Sequence, residues 1–287
     1  ADPVEALRLA GDLERTIDQL QAEEVPLAKL GELDLGPELT AHWERSLATS
    51  AEVLRRWPAI LRDAGMMDQA ERRARVLDAL VRRWRARPPA FVCAAGITDP
   101  APAVARLLRA VSEMEGGSVV FAGLDLAMPD PEWDALGPHD PDQASGRTPP
   151  SIETHPQFHL KLMLHRMGVA REEVVPWRAK GGRDSGAARG RAIANALAPA
   201  DFTGRWTALA AADRRLAGVT AAEFATPAEE AQAIALTLRG ALEHPGRTAA
   251  LVTPDRALAR RVATHCRRWG IAIDDSAGRP LAVLPPG

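Results

Sequence analysis

Arginine is the residue type that offers the most chemistry in this 287-residue chain. Between Glu52 and Ala90 lie ten arginines against five acidic residues, and Arg72, Arg75, Arg82 and Arg83 are spaced to fall on or near one side of a helix. Guanidinium groups in that pattern can follow a phosphate backbone, so the segment is a candidate DNA contact. The same composition also arises as ordinary solvated helix surface. Arg256 and Arg260 form a second candidate set, with Arg261, Arg267 and Arg268 further along the same helix. Some of these face solvent simply because Leu258 and Val262 face inward. Of the seven tryptophans, six are expected in cores or between helices, whereas Trp177 sits in a polar stretch where it is free to stack on a base.

Other chemistries find less support. His155 and His159 have the four-residue spacing that can put two imidazoles on one helical face, with His165 beyond them. Pro156 places a helix start between the first two, and no cysteine is near, so surface or capping roles are expected. Asp130 and Glu132 lack the (Asp/Glu)-x-Lys partner of a magnesium-dependent nuclease and read as solvated loop charges. No G-x-x-x-x-G-K-[ST] run is present to cradle phosphates, and the glycines of residues 181–190 read as a flexible loop. No G-x-S-x-G elbow occurs either. No catalytic, metal or cofactor-binding residue is assigned.

The elements that must position these residues follow from apolar spacing. Residues 1–88 read as a helical subdomain. Trp43, Leu47, Ala51 and Leu54 make one buried stripe, and Leu77, Leu80, Val81 and Trp84 make another that ends at Pro88-Pro89. Asp68 and Glu71 resemble a capping box. Residues 89–215 read as an α/β segment, opening with strand Phe91 to Ala95, a helix through Val104, Leu107, Leu108 and Val111, and strand Ser118 to Ala122. Strands joined by such a helix pair in parallel. Residues 128–151 should be an exposed acidic loop, followed by helices at Phe158 to Met167 and Arg189 to Leu197. Residues 216–287 read as a truncated second β-α-β-α-β segment. Its strands are expected near Val219 to Ala225, Ala249 to Val252 and Ile271 to Ile273, and its helices at Thr226-Pro227 and Thr253-Pro254 starts.

Composition bounds the class. The chain is 46% hydrophobic, enough for about two globular domains, and a formal net charge of -2 gives the whole molecule no bias toward nucleic acid or membrane. Charge is distributed unevenly: residues 110–159 hold nine acidic residues and one arginine. Two cysteines, Cys93 and Cys266, form no CxxC pair and give no disulfide framework. With no apolar run near membrane-spanning length and no leader-like opening, a cytoplasmic protein is expected. A start at Ala1-Asp2-Pro3 and an end in an unfinished unit lead us to expect an internal fragment of a longer protein.

Whole phrases narrow the reading further. Ala41-His42-Trp43-Glu44-Arg45, Trp57-Pro58-Ala59-Ile60-Leu61 and Gly65-Met66-Met67-Asp68 are joined in order by Ala94-Ala95-Gly96-Ile97-Thr98 and Gly123-Leu124-Asp125. After these come His155-Pro156-Gln157-Phe158-His159, Val252-Thr253-Pro254-Asp255-Arg256 and Asp275-Ser276-Ala277-Gly278-Arg279-Pro280-Leu281. Nearly end to end, these phrases resemble the AddB subunits of alphaproteobacterial helicase–nucleases that repair double-strand breaks. The resemblance implies a superfamily-1 helicase-like fold related to P-loop NTPases, a partner subunit AddA, and DNA as ligand, both single-stranded and as duplex ends. It also implies help in reading a recombination hotspot. The iron–sulfur cluster and magnesium of that family belong to a nuclease domain outside this sequence. On this reading the chain is a non-catalytic DNA-binding and subunit-assembly region. The rivals are a stand-alone α/β enzyme binding a nucleotide or metabolite, and an assembly module that touches protein only.

Overall fold

The computed structural model describes residues 3–26, 29, 53, 56–177, 187–214, 216, 218–276 and 278. The chain divides into two compact units, Ala1–Leu216 and Ala217–Gly287. The stripe of Trp43, Leu47, Ala51 and Leu54 and glycines 181 and 182 lie outside the described residues.

The first unit opens with α1 (Pro3–Ala22), a helical stretch α2 (56–63) and α3 (Gln69–Ala86). Glu71 in the first turn of α3 and Arg83 and Arg85 in the last complement the helix dipole. Leu77, Asp78, Leu80, Val81 and Trp84 turn toward the body, and Val81 is buried. The expected capping box at Asp68 does not form. Its carboxylate instead accepts hydrogen bonds from Gln21 Nε2 at 2.7 Å and Trp57 Nε1 at 2.9 Å. Both partners are side chains brought by other helices, and they compete for the oxygens that a local cap would have used.

After Pro88-Pro89 the β-α-β unit forms as read: β1 (Val92–Ala95), α4 (Pro102–Ser112) and β2 (Gly117–Val120), with Val92 opposite Gly117 and Ala95 opposite Val120 in a parallel ladder. Proline at the start of α4 costs no helical hydrogen bond. Glycine is required where α4 returns into β2: a Cβ on Gly116 would lie 2.1 Å from the Ala90 carbonyl oxygen, and one on Gly117 would lie 1.8 Å from that of Val111. The core is α4 against α6 (Phe158–Met167). Ala101, Val104, Ala105, Leu108, Met163 and Met167 are buried together, with Leu77, Ala94 and Val119 packed on them. Gly168, at φ 64°, ends α6 in the left-handed conformation that glycine adopts without strain.

The acidic segment 128–151 differs from the expected loop. It begins with a short helix, α5 (Asp130–Ala135), whose Trp133 and Leu136 are buried with Met128 and Leu164 in a second small core. Prolines at 129 and 131 suit a helix start, and burial of Trp133 supplies the stabilisation that composition alone concealed. Residues 140–150 remain exposed. The unit closes with α7 (Ala187–Ala196) and short 3₁₀ turns at Ala200–Ala208 and Ala211–Arg214.

The second unit is two helices, α8 (Pro227–Leu242) and α9 (Arg256–Arg268), which bury Ala231, Ala235, Leu258, Val262 and Cys266 between them. Thr226 caps α8 by accepting from Glu229 N at 3.2 Å. The cap of α9 is Asp255 rather than Thr253, whose Oγ1 accepts from Asp255 N. None of the three expected strands is paired among the described residues. Residues 218–226 are exposed throughout. Leu251 and Ile271 do pack against the α8/α9 core. The Ile271 N–H, however, donates to Cys266 O at 3.0 Å and closes α9 instead of entering a ladder. The apolar runs thus reported burial, which a strand and a packed extended segment share.

The described residues therefore form a mixed α/β structure, mostly helical, with one two-stranded parallel sheet. No helix among them is long and apolar enough to cross a membrane.

Candidate nucleic-acid interface

α3 sorts its arginines by what they touch. Arg73 pairs with Asp99 at 2.7 Å, Arg75 pairs with Glu71 one turn earlier, and Arg85 lies 3.6 Å from Glu113. Arg72, Arg82 and Arg83 are exposed and have no ion-pair partner among the described residues. They project from the side opposite Leu77, Val81 and Trp84 and bracket the exposed Val76 and Ala79. At 1.5 Å of rise per residue the two ends of this row are roughly 16 Å apart, a span of two to three phosphates along a strand. Of the four arginines singled out on this helix, three have no ion-pair partner among the described residues, and the fourth, Arg75, is tied to Glu71 of its own helix.

α9 behaves differently. Arg256 forks onto Asp275, Nη2 to Oδ2 at 2.8 Å and Nη1 to Oδ1 at 3.1 Å, and these hydrogen bonds raise its pKa above the ordinary guanidinium value. Its charge is locally matched. Arg260, with Arg261, Arg267 and Arg268, is exposed on the solvent side and has no ion-pair partner among the described residues. Leu258, Val262 and Cys266 occupy the inner side of the same helix. Arg239 of α8 stacks 5.3 Å from the Trp269 ring at the far end.

Trp177 is 72% exposed. It borders a cavity of about 870 Å³ that is open along the sheet, lined by Phe91, Cys93, Val120, Phe121 and Val175 with their neighbours. No acidic, basic or histidine side chain is among the described lining residues. Phe91, also 72% exposed, places a second aromatic at this cavity, one that spacing had assigned only to a strand. Trp206 is also exposed, at 44%, and its indole N–H donates to Asn195 O at 2.7 Å.

The histidines do not converge. His155 is buried, with Nε2 2.8 Å from Leu197 O and Nδ1 accepting from Gln157 N at 3.1 Å, so it organises the turn before α6. His159 and His165 are exposed on α6. Among the described residues no three His, Cys, Asp or Glu side chains are grouped to hold a metal ion.

Reading Asp130 and Glu132 alike as solvated charges needs correction. Glu132 is 3% exposed and lies against Arg205, Nη1 to Oε1 at 2.5 Å and Nη2 to Oε2 at 3.0 Å. Asp130 is exposed but binds the buried Arg171, which also donates to Met128 O and stacks 4.8 Å from the Trp133 ring. Lys161 approaches the same ring at 5.6 Å and donates to Trp133 O and Asp134 O, and burial pushes its ammonium pKa down. These cations are spent on two carboxylates, on backbone carbonyls and on one indole. They hold α5 against α6. Sequence spacing could not find this cluster, since Glu132 and Arg205 meet only through the fold.

No family model, curated protein or solved structure matches this chain.

Proposed function

We propose that this chain is a non-catalytic, helicase-like DNA-binding and assembly region of an AddB-type subunit of a double-strand-break repair helicase–nuclease, with AddA as its protein partner. The observation that carries the reading is the exposed row Arg72, Arg82 and Arg83 on α3, cations without ion-pair partners among the described residues. Such a row attracts a polyanion and releases counterions when it binds one. Trp177 and Phe91 offer stacking surface to unpaired bases, and stacking tolerates any sequence.

The assembly half of the proposal rests on the sheet. Parallel strands are ordinarily covered on both faces, whereas the cavity beside Cys93 and Val120 leaves one face of β1 and β2 open and apolar. In a superfamily-1-like sheet the crossover helices that join further strands, or a partner subunit, would cover it. The described lining holds no acidic, basic or histidine side chain, and its one titratable group is the thiol of Cys93, which weighs against the rival reading of a stand-alone enzyme.

The test is binding of a fluorescent single-stranded oligonucleotide to the wild-type chain and to R72Q/R82Q/R83Q. The proposal expects a loss of tenfold or more at low salt, with the folded state intact by circular dichroism. Equal affinities would refute the role of α3. Co-purification with AddA separately tests assembly, and a chain that binds DNA yet never AddA would retain only the first half of the proposal.

A further inference from the structure

The end of α1 is held by arginines from two other helices. Arg106 of α4 donates to Glu24 at 2.6 and 2.8 Å and to Asp78 of α3 at 2.9 and 3.2 Å. Arg166 of α6 donates to Glu23 at 2.6 Å and to Pro100 O at 2.7 Å. Adjacent carboxylates thus meet two guanidiniums, and Glu24 occupies the left-handed region at φ 54°, a conformation uncommon for a residue with a side chain.

Few of the described side chains elsewhere on α1 are buried. Ile17 is the one buried residue among its described side chains, while Val4, Leu7 and Leu9 are 68%, 75% and 62% exposed. Gln21 adds its hydrogen bond to Asp68 near the clasped end. The helix packs against α3, and Gln21 and the turn at Glu23 and Glu24 attach its second half through side-chain hydrogen bonds.

We propose that α1 is an electrostatic strap: a helix clasped to the body through Glu23 and Glu24, which detaches as a unit when those charges are screened or removed while the β1–α4–β2 core stays folded. The clasp is suited to this because it is partly wet. The Glu23 and Glu24 side chains are 42% and 38% exposed, and those of Arg166 and Arg106 are 23% and 40% exposed, so salt reaches both pairs. Segments with few buried apolar contacts open locally at lower free energy than the core.

Amide hydrogen exchange of the full chain, read by mass spectrometry, tests the strap. Each of these partly exposed pairs is worth a few-fold in an opening equilibrium, so E23Q/E24Q should speed exchange of residues 12–22 by about tenfold and leave α4 unchanged. Raising NaCl to about 0.5 M should do the same to the wild type and little to the variant. The charge-swapped E23R/R166E chain should exchange more slowly than E23R alone. Exchange of α1 that ignores the double substitution, or that accelerates only together with α4, would overturn the proposal.

Discussion

Glu132 and Arg205 stand 73 residues apart in sequence and 2.5 Å apart in the fold, with the carboxylate almost wholly removed from water. The Arg205 side chain is 29% exposed, so the pair sits at an edge of the interior, and its Nε atom is buried without a hydrogen-bond partner among the described residues. Removing the arginine strands a buried carboxylate. R205M should therefore destabilise the first unit by about 3 kcal/mol, the low end for breaking a buried pair, because the site is partly open to water. E132Q keeps shape and hydrogen bonding and should cost less. Urea unfolding of both variants checks the order, and equal costs would mean that the charge pairing is not what matters.

Trp177 and Trp133 make a contrasting pair, one 72% exposed and the other 9%. W177A should leave stability within about 0.5 kcal/mol of wild type, and if a base stacks there it should weaken single-strand binding by about 1–3 kcal/mol. W133A should cost about 3–5 kcal/mol of stability, since it empties a core and removes the ring on which Arg171 stacks. Thermal melts and fluorescence anisotropy separate the two effects.

The asymmetry between these tryptophans shows how far the sequence could be read. The helices at Phe158 and Pro227 and the β1–α4–β2 unit were legible because apolar spacing, proline starts and glycine stops are local signals. α5 was not, because Pro, Asp and Glu mask a helix whose reason for existing is Trp133, buried against residues more than 30 positions away. The expected strands of the second unit failed for a related reason: apolar runs at Leu251 and Ile271 announce burial, while a ladder needs a backbone partner that no composition reveals. Of the arginines, helical spacing identified the exposed row on α3. It could not tell that Arg75 and Arg256 would be neutralised by Glu71 and Asp275.

Acid should loosen α9 through its cap. The Asp255 carboxylate accepts hydrogen bonds chiefly from the backbone N–H of Ala257 and then of Leu258, and these hold its pKa below the ordinary carboxylate range. A carboxyl whose folded pKa is depressed contributes stability that is fully present above its unfolded value, and that contribution is lost as pH falls through the folded value. Helicity should fall on acidification below about pH 4. D255N, which still caps but does not titrate, should show a smaller fall, measured by circular dichroism at matched salt. An identical acid profile in D255N would assign the loss to other groups.

The two thiols should react at different rates. Cys93 is exposed beside the sheet cavity, whereas Cys266 is fully buried between α8 and α9, where desolvation raises its pKa. A thiol reagent should modify one equivalent promptly in the native chain and the second only on unfolding, with C93S abolishing the fast phase. Two fast equivalents would mean that the α8/α9 core opens readily.

The central claim is that Arg72, Arg82 and Arg83 meet phosphates, and its most direct measurement is the salt dependence of single-strand binding. Each neutralised phosphate contributes roughly -0.7 to the slope of log affinity against log salt, so R72Q/R82Q/R83Q should flatten the wild-type slope by about two. A slope unchanged by the triple substitution, or wild-type binding that ignores salt altogether, would contradict the account.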